Sequence, residues 1–443
     1  MSEFEPETSS AHIALSITCA LSRLPGRVRC HAMENITHSL IGLIAGESIA
    51  RTTRSPQQGL PPETRRGLFV TLTVIGGNLP DLDLAWSSGD KLRYLLHHRG
   101  YTHTVLGCLV LALVLYGLTE LWARMKHVTL TRQDRREILA VALFGTVLHL
   151  AMDSLNSYGV HPFWPVRNRW MYGDSVFIVE PLYWAAAAPL VFVVRSWPAR
   201  IILGLVVLAG VVVSLTPLVP LLPRVGFLVL TIALLAVGAR ISARAAALVS
   251  ASVTVVITAT FVSAGHAAAR RVESIAATQL GSAQLIDHVL TPLPMNPFCW
   301  DVLLLVIEGD RYSVRHAMLT EAPALLPAGS CPILPGNRPA TAPMVPIRPS
   351  VSPDIRWLGQ IDMSRAQLTA IVATHCDATA LMQFVRAPFV TESGRRWILG
   401  DLRFDGDRGG GIATLQLGPP GHGLCRSSVP WMPPRMDLLG GTK

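Results

Sequence analysis

The stretch EILAVALFGTVLHLAMDSLN, residues 137–156, decides how this chain is read. A helix of about 20 apolar residues crosses a hydrocarbon core of about 30 Å, and this segment has that length and character. Yet it carries His149 and Asp153. An ionisable side chain inside an apolar span costs on the order of 2.5–3.5 kcal/mol by insertion scales, so each needs a reason. Their i, i+4 spacing places both on one helix face, about one turn apart. An imidazole and a carboxylate so placed can bind one metal ion, or they can pair with each other and fix helix packing.

Outward from this segment the apolar runs continue. Residues 104–123, 176–194, 199–222, 225–239 and 245–265 are further spans, the fourth of them short and the third interrupted by Pro217 and Pro220. Residues 35–50 form a short amphipathic segment. Residues 67–77 are an apolar run of half length that stops at Asn78-Leu79-Pro80-Asp81. Such a run resembles a discontinuous or re-entrant helix, tolerated at membrane depth where it lines a polar cavity. Half the chain is hydrophobic and 15% is charged, against roughly 25% in ordinary soluble domains. The mean hydropathy is +0.41.

Residues 266–443 read as soluble sequence. Residues 302–307 and 312–318 are predicted as paired strands joined by Glu308-Gly309-Asp310. Residues 364–374 and 378–385 are predicted as helices, and 397–404 as a strand. The expected fold is mainly α. A polytopic transmembrane helical domain over 33–265 precedes a smaller α+β soluble domain over 266–443, with a Pro-rich loop at 320–353. Met33 is the expected start of translation, which leaves residues 1–32 as an extension.

The net charge of +9 comes without a dense Lys/Arg run interleaved with aromatics, so direct nucleic-acid binding is not expected. In a membrane protein such charges set orientation. With the N-terminus of the 35–50 segment outside, the inside loops hold 13 Lys/Arg and the outside loops 6. That arrangement sends the soluble domain out of the cytoplasm. Four of the seven cysteines lie in that domain (Cys299, Cys331, Cys376 and Cys425), where an oxidising compartment would allow two disulfides. Buried free thiols are the alternative. No CxxC pair is present, so nothing indicates a thiolate zinc finger.

Several motifs carry chemistry. Leu79-Pro80-Asp81-Leu82-Asp83 sets two carboxylates two residues apart. His97-His98-Arg99-Gly100-Tyr101-Thr102-His103-Thr104 stands directly before a strong span, and Gly100 lets His98 and His103 converge. His38 opens the amphipathic segment. Oxygen and imidazole ligands together suit zinc, manganese or iron, and zinc is the metal expected. The candidate ligands are His38, Asp81, His98, His103, His149 and Asp153. Asp83 or Glu180 could act as general base, and Arg99 could orient an anionic substrate. Tyr158 to Pro165 reads as an interfacial aromatic belt, and Arg167 and Arg169 after it could meet an anionic headgroup.

Taken together, Met33-Glu34-Asn35-Ile36-Thr37-His38-Ser39-Leu40, Leu79 to Asp83, His98 to His103, and His149-Leu150-Ala151-Met152-Asp153-Ser154 resemble the YdjM-like family over most of residues 33–195. Pro294 to Trp300 is similar to the start of the soluble domain in longer members. The resemblance implies an inner-membrane-associated, metal-dependent hydrolase with a link to LexA. Where that family often has Asp-Pro, this chain has Glu180-Pro181.

The expected function is therefore hydrolysis of a lipid-like or envelope ester or phosphoester by metal-activated water, in a multi-pass bacterial inner-membrane protein. A regulatory protein partner is implied by the resemblance alone. A rival reading is a non-catalytic membrane scaffold or regulator with a structural His/Asp cluster. A transporter would be expected to show inverted repeats, and none is seen. Alkaline phosphatase fused after Lys443 should be active and a fluorescent protein at the same point dark. The opposite pair of results would place the soluble domain in the cytoplasm.

Overall fold

The computed structural model describes residues 31–53, 59–87, 90–333, 343–348, 351–405, 411–418 and 429–439. Most of the expected N-terminal extension, together with Cys425, lies outside them. Helix α1 (His31–Thr52) and helix α2 (Pro62–Gly76) lie against each other and against α6 (Arg132–Asp153). Close approach is possible because α1 carries Gly42 and Gly46, four residues apart. A Cβ on Gly46 would fall 2.7 Å from the backbone of Val70 in α2, and one on Gly42 2.6 Å from the Thr73 carbonyl. Gly76 meets Gly145 of α6 in the same way, at 3.2 Å. Small residues at this spacing are the usual means of bringing helices together in lipid.

After α2 the chain makes a 3-10 turn, Leu79–Asp83, and two short helices, α3 (Leu84–Ser87) and α4 (Lys91–His97). A second 3-10 turn, Tyr101–His103, leads into α5 (Val105–Met125). Thr104 caps α5 by accepting from Gly107 N. Helix α6 opens on a capping box in which Thr131 and Asp134 satisfy each other's backbone N–H. It therefore starts in charged sequence and ends, after Asp153, inside the protein.

The predicted span over 176–194 is not one helix. Pro181 starts the six-residue α7 (Pro181–Ala186), and a 3-10 stretch, Ala188–Phe192, completes a half-length element. Proline lacks the N–H that continuous helix requires. Helices α8 (Trp197–Ser214) and α9 (Leu221–Gly238) follow, separated at Pro217 and Pro220. Helix α10 (Ala243–Gln279) has 37 residues, so it extends about 55 Å at 1.5 Å per residue. Its apolar N-terminal part is followed by a part that supports the sheet domain. Helices α5, α8, α9 and α10 are each long and apolar enough to cross a membrane.

Strands β1 (Gln284–Leu293), β2 (Asn296–Glu308), β3 (Arg311–Thr320) and β4 (Ile355–Ser364) form an antiparallel sheet in that order. The β2–β3 turn is as expected, with Gly309 at φ +59° between Glu308 and Arg311. Alternation along the strands gives the sheet two buried faces. Val302, Leu304 and Val306 face Ala268, Val272 and Ala276 of α10. Leu303, Leu305 and Val314 join a second core with helices α11 (Arg365–Thr374) and α12 (Cys376–Leu381). A three-stranded sheet, β5 (Pro388–Ser393), β6 (Arg396–Asp401) and β7 (Thr414–Gln416), packs on that side.

That second core also holds Leu92, Leu95 and Leu96 of α4 and Tyr158 of the loop after α6. The sheet domain is thus packed directly onto the segments that flank the candidate site. Cys299 and Cys331 form a disulfide, and Cys376 is disulfide-bonded as well.

Gly46→Leu should force α1 off α2 and destabilise the protein by roughly 1–3 kcal/mol, the cost of overpacking. A lower thermal midpoint in detergent checks this. An unchanged midpoint would mean that the helices are not held at this distance.

Candidate metal centre

Four separate segments bring ionisable side chains to one buried place. Helix α1 contributes Glu34 and His38. The 3-10 turn contributes Asp81 and Asp83, oriented by Pro80 and by Asn78, whose Nδ2 donates to Ser39 Oγ and to the Val74 carbonyl. The stretch between α4 and α5 contributes His98, Arg99 and His103. The last turn of α6 contributes His149 and Asp153. All nine side chains are buried.

Four atoms converge at the centre: His103 Nε2, His149 Nε2, Asp81 Oδ1 and Asp153 Oδ2. The two imidazole nitrogens are 3.0 Å apart. His103 Nε2 lies 3.3 Å from Asp81 and 3.2 Å from Asp153. His149 Nε2 lies 3.5 Å from Asp81 and 3.4 Å from Asp153. A tetrahedral ion with ligands at about 2.0–2.2 Å has ligand–ligand edges of about 3.3–3.6 Å. The four imidazole–carboxylate spacings are close to those edges, and the imidazole–imidazole spacing is shorter.

Hydrogen bonding fixes which ring nitrogens carry protons. His149 Nδ1 is 2.8 Å from the Gly77 carbonyl, which can only accept. The proton is therefore on Nδ1, and the Nε2 lone pair points at the centre. His103 Nδ1 faces Thr102 Oγ1 at 3.0 Å and Asp83 Oδ2 at 3.3 Å. Thr102 donates to Asp83 Oδ2 at 3.0 Å, so its oxygen accepts from His103 Nδ1. With both rings neutral, two lone pairs and two carboxylate oxygens face one another. Buried charge of that kind is stable only with a counter-charge, which a divalent cation would supply. Neither carboxylate oxygen of Asp153 receives a well-formed hydrogen bond among the described residues.

Around this centre each remaining group has a definite neighbour. Asp83 accepts from His98 Nδ1 at 3.0 Å and from Arg99 N at 2.9 Å, besides Thr102 and His103. Arg99, at φ +60°, turns its guanidinium inward. It pairs with Glu34 and, at 3.1 Å, with Asp153 Oδ1, and it donates to Asn156 Oδ1 at 3.0 Å. It lies over the Tyr158 ring at 4.6 Å. His38 Nε2 is 3.3 Å from Asp153 Oδ1, and its ring stacks on His149 at 4.1 Å.

Eight of the nine residues singled out from the sequence meet here: His38, Asp81, Asp83, His98, Arg99, His103, His149 and Asp153. Glu180 does not. Its carboxylate caps α7 through Leu182 N and accepts from Met295 N at 3.0–3.1 Å, which ties the helical part to the β1–β2 turn. Glu34 was not singled out, although Glu34 and His38 share the i, i+4 spacing of His149 and Asp153. His161 stands apart with its ring stacked on Trp431 at 4.5 Å. Burial, and to a lesser degree His103, pushes its pKa down to about 3, which keeps it neutral.

A crevice beside the centre is lined by Glu34, His38, Asp153, Val176, Phe177 and Tyr183. Its lining combines carboxylates and an imidazole with apolar side chains.

The helices and the site together define an integral membrane protein with a buried His/carboxylate cluster able to hold a metal ion. Comparison with known proteins agrees with the motifs: residues 33–221 match the family model described as YdjM inner membrane protein. The chain is also 24% identical over 149 residues to the uncharacterized protein YfhP of Bacillus subtilis, covering 34% of this chain and 42% of that relative. The chain therefore spans about two fifths of the length of this curated relative. No solved structure matches it.

His103→Ala and His149→Ala should each abolish stoichiometric metal in elemental analysis of the purified protein, with helix content by circular dichroism retained. Asp83→Asn should weaken metal affinity about 10–100-fold, the usual effect of removing a group that orients a ligand. Metal content equal to wild type in all three would contradict this ligand set.

Proposed function

We propose that this protein is a membrane-bound, metal-dependent hydrolase acting on a lipid-like ester or phosphoester. The convergence of His103, His149, Asp81 and Asp153, with both imidazoles tautomerically fixed, carries this reading. A divalent metal held by these four residues, zinc by the mixed nitrogen and oxygen donor set, would supply Lewis acidity and make water a nucleophile near neutral pH.

The chain's own residues then divide the work. Asp83, with each of its neighbours a donor, holds His98 and His103 in place. This geometry favours a positioning role for it over proton transfer. Arg99 neutralises Glu34 and Asp153 and fixes the Asp153 carboxylate. Its guanidinium is turned to these partners, so its role is electrostatic support of the site more than substrate binding. His38 and Glu34 line the crevice, and they are the groups placed to take up and return a proton. The crevice beside Asp153, about 20 Å³, has room for a water molecule next to these groups.

The disulfide chemistry supports an oxidising location for the sheet domain and hence the outward orientation drawn from loop charge. A regulatory partner of the LexA type is a proposal that rests on the family resemblance alone.

Hydrolysis of a fluorogenic acyl ester and of a lipid phosphoester by the metal-loaded protein in detergent tests the reading. His38→Ala should keep its metal and lose about 10²–10⁴-fold in kcat, the usual range for removing a general acid or base. A wild-type protein that binds metal but turns over neither substrate class would favour the scaffold reading.

A further inference from the structure

The loop after α6 carries two arginines that the metal centre does not use. Arg167 and Arg169 are exposed, and neither guanidinium forms an ion pair among the described residues. Both line a cleft of about 730 Å³ between residues 163–172 and residues 432–437.

The rest of the cleft's charge is already paired. Arg386 lies 2.9 Å from Asp287 and 2.8 Å from Asp174. Arg435 lies 3.1 Å from Asp287 and 3.5 Å from Asp437. Burial would raise the Asp287 carboxyl, but Arg386 and Arg435 hold it down to about 2, so it stays ionised at neutral pH. The excess positive charge therefore resides on Arg167 and Arg169.

The loop also sits at the level where the membrane begins. The Pro162 carbonyl accepts from Val105 N, the first residue of the membrane-crossing α5, at 2.8 Å. At that end α5 exposes Val105, Leu106, Leu109 and Val110. The loop itself exposes Val166 almost fully, at 95%, and Phe163 at 48%. Apolar side chains and arginines in one short loop at a helix end are the composition of a membrane-interface anchor.

We propose that this cleft binds the phosphate-bearing headgroup of an anionic phospholipid, with Arg167 and Arg169 on the phosphate and Phe163 and Val166 seated among the upper acyl chains. The site is separate from the metal centre, and it fastens the sheet domain to the bilayer through the loop that both share.

The full-length protein in nanodiscs tests this. Discs of phosphatidylcholine with a minor fraction of phosphatidylglycerol should yield, by native mass spectrometry, protein retaining phosphatidylglycerol in preference to phosphatidylcholine. Arg167→Gln with Arg169→Gln should lower that retention about thirtyfold, from roughly 1 kcal/mol per arginine near an anionic surface, while metal content stays at the wild-type level. Lysine at both positions should restore most of it. Equal retention in wild type and the glutamine double variant would overturn the proposal. So would displacement of the lipid by millimolar inorganic phosphate, which would make this a free-anion site.

Discussion

Four buried carboxylates, Glu34, Asp81, Asp83 and Asp153, face a single buried guanidinium, that of Arg99, and this charge imbalance governs the helical part of the molecule. Imidazoles tied to a carbonyl and to Asp83 cannot cancel it while they remain neutral. A fold that holds such a cluster out of water needs compensating positive charge, which a bound cation or protonated imidazoles would supply. The glycines that let α1, α2 and α6 approach, the 3-10 turn that aims Asp81 and Asp83, and the left-handed backbone at Arg99 all serve to bring these groups within 3–3.5 Å of one another.

The sheet domain takes part in this. Leucines of α4 lie in its core, so His98 and Arg99 are delivered from a helix that the domain grips. Arg403 donates to the Ser157 and Tyr158 carbonyls at 2.7 and 3.2 Å, and Tyr158 in turn lies under Arg99. Glu180 holds the β1–β2 turn by accepting from Met295 N. The sheet domain is therefore joined to the candidate metal centre through packed side chains and hydrogen bonds.

Much of this was legible in the sequence. The cost of placing His149 and Asp153 in an apolar run marks them, and HRGYTH and LPDLD stand out by composition. The fold class follows from the apolar runs. The parts that were hidden are those set by distant partners. Residues 176–194 are apolar enough for a span, but Pro181 and Pro189 divide them into short turns. Glu180 looks like a candidate base until Met295, 115 residues away, is seen to occupy it. Strand β1 is obscured because its register shifts between Leu285 and Asp287 and again at Pro292. Helix α10 outruns its apolar segment because Ala268, Val272 and Ala276 are needed against the sheet, a demand no local pattern announces.

X-ray absorption at the metal edge of the purified full-length protein bears most directly on the central claim. The account predicts a first shell of nitrogen and oxygen at about 2.0–2.2 Å, with the outer scattering of two imidazoles and no sulfur. A sulfur-containing shell, or a protein that holds no tightly bound metal after purification without chelators, would contradict it.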